Sequence, residues 1–229
     1  MVRSRAAWLA WSLCAVCVSL IALALLLDFV GHEIVPVLPE ERLDPGLAVL
    51  AGLLSLAYPT VGALIASRLP TNPIGWIFCG VGLLYAARRF TIAYADYALL
   101  ETFALPWGEY VAWFSTWVGF AGLILAGVFL TLLFPDGRLP SHRWRIVAWA
   151  AVVGAALTTL ADAFAPGQLR THPYVENPFG VVGVIGGGFT TYDLVGASVV
   201  LGRALLLTSS LAALISLVLR LYRVRGDER

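Results

Sequence analysis

Six apolar runs dominate this chain: 6–30, 47–67, 74–99, 107–134, 146–165 and 193–219. Each reaches the roughly 20 residues that an α-helix needs to cross a hydrocarbon core about 30 Å thick. Lipid offers no water to the backbone, so a spanning segment must bond internally as a helix or close into a barrel. These runs are continuously apolar rather than alternating, which selects the helix. The expected fold class is therefore all-α: one integral membrane bundle of about six transmembrane helices over 1–229. Composition agrees, since 60% of residues are hydrophobic and 13% charged, where a soluble domain carries roughly a quarter charged.

Direction follows from one polar hinge, Phe134-Pro-Asp-Gly-Arg-Leu-Pro-Ser-His-Arg-Trp-Arg145, between the fourth and fifth runs. Pro135, Asp136 and Gly137 are turn chemistry: Pro presets φ, Asp bonds its own backbone and Gly tolerates positive φ. Arg138, Arg143 and Arg145 in so short a loop mark it as cytoplasmic. With that hinge inside, ten arginines fall on the inner side (Arg3, Arg5, Arg68, the three of the hinge, Arg220, Arg223, Arg225 and Arg229), against Arg42 and Arg170 outside. Both termini are then expected in the cytoplasm. The first run is longer than the 7–15 residues of a signal-peptide core and lacks a small-residue cleavage site, so it reads as a retained helix.

A net charge of +1 argues for neither nucleic acid nor an acidic substrate. All fifteen basic residues are Arg, which a GC-rich genome explains as well as any function. Cys14, Cys17 and Cys79 lie inside apolar runs and read as small packing residues, although Cys14 and Cys17 have the spacing of a redox pair. Pro59 removes a backbone bond within the second run and predicts a kink there. Small residues one turn apart (Gly62 and Ala66, Gly122 and Ala126, Ala150 and Gly154, Ser198 and Gly202) let helices approach closely, within one bundle or across a dimer.

Charge inside the apolar runs is the main chemical oddity. The third run carries Arg88, Arg89 and Asp96, the sixth carries Arg203, and Asp28, Asp162 and Asp193 stand near outer ends. An Arg at a helix centre costs about 2.5–3.5 kcal/mol on the insertion scale, while each Leu or Ile returns about 0.5. Arg88 lies about 20 Å from the cytoplasmic start of its helix at about 1.5 Å per residue, which places it in the outer part of the core. Two readings remain open. One is a set of ion pairs holding the bundle together. The other is a polar cavity, rimmed by Tyr85, Tyr94, Trp107, Tyr110 and Trp113, that receives an anionic or amphiphilic ligand.

No catalytic grouping, metal set or cofactor motif emerges. His32 and His172 are both outside, near Glu33 and Glu176, but their spacing supports no shared metal. Gly186-Gly-Gly188 lacks the Gly-Lys-Ser/Thr of a phosphate loop.

Three loop motifs carry a resemblance. Pro70-Thr-Asn-Pro-Ile-Gly-Trp76, with Asn72, Pro73 and Gly75 at its centre, the twelve-residue hinge, and Glu176-Asn-Pro-Phe-Gly180 follow one another in an order that resembles the amino-terminal membrane region of certain bacterial two-component sensor histidine kinases. The resemblance runs from about the second helix to Arg229 and implies a multi-pass protein of a bacterial plasma membrane, acting in signal transduction. In that family the sixth helix runs on into a phosphoacceptor helix and an ATP-binding domain. Neither is present in these 229 residues, so no kinase activity is carried over, and His142 lies in a turn rather than on a dimerisation helix.

The expected function is accordingly a sensor or input module that contacts the bilayer and a separate histidine kinase or a second copy of itself. Two alternatives stand beside it. One is a small transporter or permease subunit using Arg88, Arg89 and Arg203, which the lack of an internal repeat disfavours. The other is the remnant of a split kinase gene.

Overall fold

The computed structural model describes residues 2–34, 45–100, 105–134, 137–139, 141–186 and 189–227. The expected turn residues Pro135 and Asp136, the acidic loop with Arg42, and Gly187 and Gly188 lie outside the described residues. Helices form where the apolar runs were read: α1 Val2–Ile34, α2 Pro45–Ser55, α3 Ala57–Arg68, α4 Pro73–Leu100, α5 Gly108–Ile124, α6 Thr131–Leu133, α7 Trp144–Phe164 and α8 Thr191–Asp227. Among the described residues, five stretches are long and apolar enough to cross a membrane: Arg5–Gly31, Pro73–Leu100, Gly108–Leu133, Trp144–Phe164 and Thr191–Arg220. The chain is thus a helical, multi-pass membrane protein, and its apolar exterior suits contact with lipid.

The second run behaves differently. It is two helices, α2 and α3, broken at Leu56. Pro59 has no N–H to give the Ser55 carbonyl, and the Leu56 amide turns instead to the Leu53 carbonyl at 3.2 Å. The break therefore falls where the proline predicts a kink, and it leaves neither piece long enough to span alone. Pro59 is buried against Gly82 of α4, where a Cβ would sit 2.8 Å from the proline nitrogen.

Two further departures from the sequence reading are local. The fourth span is not one α-helix: between α5 and α6 it widens into a π-helical segment, Leu125–Leu130. The long loop between α7 and α8 contains a two-stranded antiparallel hairpin, β1 Val184–Gly186 and β2 Phe189–Thr190.

Packing runs as a row rather than a ring. Helices α1 and α3 pack on α4, α4 on α5, α5 on α7, and α7 on α8. Small side chains make the close approaches. Ala10 and Cys14 of α1 meet Ala63 and Ala66 of α3 and Cys79 of α4, while Cys17 and Ile21 meet Ala86. All three cysteines are free and buried there, in the packing role. A Cβ on Gly62 would lie 2.6 Å from the Cys79 amide nitrogen, and one on Gly75 would lie 2.6 Å from that of Ala66. Both pairs lock α3 to α4 within one chain.

Candidate functional site

The C-terminal ends of α4 and α7 and the N-terminal halves of α5 and α8 bring most of the charge of the apolar runs to one end of the bundle, but with partners that the sequence did not assign. Arg89 of α4 pairs with Asp28 of α1, both partly exposed. Asp96, two turns along α4 on the same side as Arg89, turns to the outer loop. There it accepts a 2.6 Å hydrogen bond from the Tyr174 hydroxyl and lies 3.3 Å from Nε2 of His172. Among the described residues that histidine nitrogen has no aligned hydrogen-bond partner, although it lies beside the Asp96 carboxylate. His172 is fully buried, and its Nδ1 lies 3.0 Å from the Thr171 hydroxyl, which in turn meets Thr116 at 2.7 Å and Ser115 at 3.2 Å on α5. Polar side chains thus run from Asp96 to the centre of α5. Burial pushes the Tyr174 phenol up, and the hydrogen bond to Asp96 and the carboxylate charge push it further.

A second group centres on Asp162 of α7. Arg170 of the outer loop donates to its carboxylate at 2.7 Å and lies 5.1 Å over the Phe120 ring of α5. Arg203 of α8 is exposed. Arg88 of α4 crosses α5 at Gly119, where a Cβ would lie 2.6 Å from Nε. Glycine at 119 is what lets the guanidinium through. Among the described residues, neither the Arg88 nor the Arg203 guanidinium has an ion-pair or hydrogen-bond partner. Asp193 stands apart: it accepts hydrogen bonds from the Thr190 amide at 2.9 Å and hydroxyl at 2.7 Å, capping α8 instead of joining an ion pair.

Where a polar cavity was expected, the structure has an apolar groove. A groove of about 560 Å³ is lined by Thr91, Trp107, Tyr110, Trp113, Phe114 and Phe179, with Val111. It is apolar, and no charged side chain lines it. Trp107, Tyr110 and Trp113 belong to it as expected, whereas Tyr85 packs against Tyr58 and the Tyr94 hydroxyl donates to the Pro106 carbonyl at 2.9 Å. Phe179, from the Asn-Pro-Phe-Gly motif, closes the groove 4.7 Å from Trp113. Trp107 holds φ +67, left-handed backbone that a non-glycine residue adopts at a cost of roughly 1–2 kcal/mol.

The loop motifs have a shared physical meaning. In Asn72-Pro-Ile-Gly75 the Asn72 side-chain oxygen accepts from the Ile74 amide at 3.0 Å and starts α4, with Pro73 in the first helical position. In Asn177-Pro-Phe-Gly180 the Asn177 oxygen accepts from the Phe179 amide at 3.0 Å, the same Asx turn. The Asn177 amide nitrogen also donates to the Ala163 and Ala165 carbonyls at the end of α7.

At the opposite end of the helices the hinges that hold Asn72 and Gly137 touch. Gly137 holds φ +70, and a Cβ on it would lie 2.7 Å from both Asn72 Oδ1 and Pro73 Cδ. Arg220 of α8 reaches into this junction and donates to the carbonyls of Phe134 at 2.5 Å, Leu132 at 2.9 Å and Arg138 at 3.2 Å. Leu132 and Phe134 stand at the end of α6, where the last carbonyls of a helix lack intrahelical donors. Nothing in the sequence singled out Arg220 from its neighbours Arg223 and Arg225. Arg143 precedes α7, and Arg145 lies 3.0 Å from His142 Nε2.

Comparisons with protein-family models, with curated proteins and with solved structures each return no match to this chain.

Proposed function

We propose that this chain is a membrane input module of six spans with both termini in the cytoplasm, the broken α2–α3 pair supplying the remaining span. In this reading it resembles the sensor region of histidine kinases and works on a separate kinase in a bacterial plasma membrane. The outer cluster receives the stimulus and the junction of the inner hinges delivers it.

The observation that carries the reading is the continuity of α8. One helix of 37 residues carries Arg203 in its first half and Arg220 in the junction of the hinges. A rigid helix moves as a unit, so a displacement at Arg203 is felt at Arg220 about 25 Å away, at about 1.5 Å per residue. Full switching between two packings requires a ligand to prefer one of them by about 5.5 kcal/mol. The transporter alternative gains less support, since the groove is confined to the outer end and no charged side chain lines it.

Two experiments test the reading. Alkaline phosphatase fused after Arg138 should be inactive and after Gln168 active; the reverse pattern rejects the orientation. A photocrosslinking amino acid at Arg143 should form an adduct with a histidine kinase in the native cell. Adducts confined to other proteins would reject the signalling role.

A further inference from the structure

Helix α8 ends the row of packed helices and meets the bundle on one side only. Gly202, Ser209, Ala213 and Ser216 form that buried side, and Gly202 fits against Gly154 of α7. On the opposite side Val200, Arg203, Leu207, Leu211, Leu214 and Val218 recur every three or four residues as one exposed stripe. The aliphatic members suit either lipid or another helix. Arg203 does not suit lipid. It stands near the middle of Thr191–Arg220, a stretch of 30 residues apolar enough to cross a membrane. At about 1.5 Å per residue, Thr191 is about 18 Å away along the helix and Arg220 about 25 Å. Arginines close to a helix end snorkel to the interface, whereas charges deep in a span face a bundle interior and pair there.

Among the described residues, Arg203 makes no ion pair or hydrogen bond, and the aspartates of the spans are engaged elsewhere: Asp28 with Arg89, Asp96 with Tyr174, Asp162 with Arg170 and Asp193 with Thr190. A second copy does not complete the stripe either. A two-fold seam of two α8 helices would set Arg203 against Arg203, like charge against like. We propose that this face of α8 docks a helix of a different membrane protein, one that carries Asp or Glu near the middle of its span. The carboxylate pairs with Arg203, and the aliphatic residues of the stripe pack along the same helix. The inference needs α8 to cross the bilayer. It needs neither the orientation nor the kinase proposed above, so the failure of either leaves it standing.

The test reconstitutes the full chain in phosphatidylcholine bilayers with a synthetic single-span peptide of leucine and alanine that carries one central Asp. Förster transfer between labelled chain and labelled peptide should show association about tenfold tighter than with the same peptide carrying Ala instead. Arg203→Leu, a change to an exposed side chain, should erase that preference. A second measurement needs no arginine variant: a photocrosslinking amino acid at Leu207, about one turn from Arg203, in the native cell. Its adducts should map to a membrane span of another protein that contains Asp or Glu. Equal association of the two peptides, or a preference that survives Arg203→Leu, overturns the proposal. Adducts confined to lipid, to spans without an acid or to a second copy of this chain overturn it as well, the last assigning the face to self-association.

Discussion

Gly154 of α7 and Gly202 of α8 face each other across the tightest helix contact in the molecule's last hairpin. A Cβ on Gly154 would lie 2.7 Å from the Gly202 carbonyl oxygen, and one on Gly202 would lie 2.8 Å from that of Gly154. Neither backbone can give way without parting the helices. Gly154→Val or Gly202→Val should therefore destabilise the protein by about 1–3 kcal/mol, the usual cost of overpacking. Gly196→Ala on the same helix, with open space around it, should be neutral or stabilise by up to about 1 kcal/mol through helix propensity. Thermal unfolding followed by tryptophan fluorescence compares the three; equal midpoints would refute the close contact.

Removing Arg220 strips hydrogen bonds from three carbonyls at once. Arg220→Gln should expose the hinge, and trypsin should then cut after Arg138 several-fold faster than in the native chain. An unchanged cleavage rate would mean that the hinge is held by the Gly137 contact with Asn72 and Pro73 alone.

The Asp28–Arg89 pair joins α1 to α4 with both side chains only partly exposed. Asp28→Asn should cost about 1–2 kcal/mol, less than the 3–5 of a fully buried pair broken on one side. A double-mutant cycle with Arg89→Gln should show a coupling of at least about 0.5 kcal/mol. Additive effects would dissolve the pair.

Tyr174 ionises later than an ordinary tyrosine, because burial and then Asp96 oppose a phenolate. A raised value of this kind contributes stability that is fully present below the usual tyrosine range near 10 and is lost as the pH rises through the folded value. The phenolate absorbance difference between the native chain and Tyr174→Phe should therefore appear only above the main tyrosine transition. A difference centred near pH 10 would contradict the Asp96 contact.

Much of the architecture was legible in the residues. Apolar length gave the helices and Pro59 a kink that the fold realises as a break at Leu56, whereas the Asx turns of the two Asn-Pro-x-Gly motifs emerged only from the structure. Small-residue pairs marked close helix approaches. The site was only half legible, for a physical reason. Helical periodicity tells which side of α4 bears Arg89 and Asp96, but not which neighbour that side meets. Asp28 and Tyr174 became their partners only once α1 and the outer loop were placed. His172 was visible as an outer histidine, yet its burial against Asp96 depends on a loop folded by backbone bonds such as that from Leu169 to Val175, 2.8 Å. The π-helical segment had no signal at all, since Leu125–Leu130 contains neither proline nor charge.

That segment gives the fourth span two rotational phases. Its outer part, α5, seats against α4 and α7, while α6 below it seats against α8. A uniform α-helix would carry one stripe down its whole length and could not turn to both sets of neighbours. One residue lost between Leu125 and Leu130 can be absorbed by winding that stretch back to α-helical pitch. The same loss within Gly108–Ile124 would swing every later side chain by about 100°, so the chain tolerates length variation in one short window of this helix and nowhere else along it.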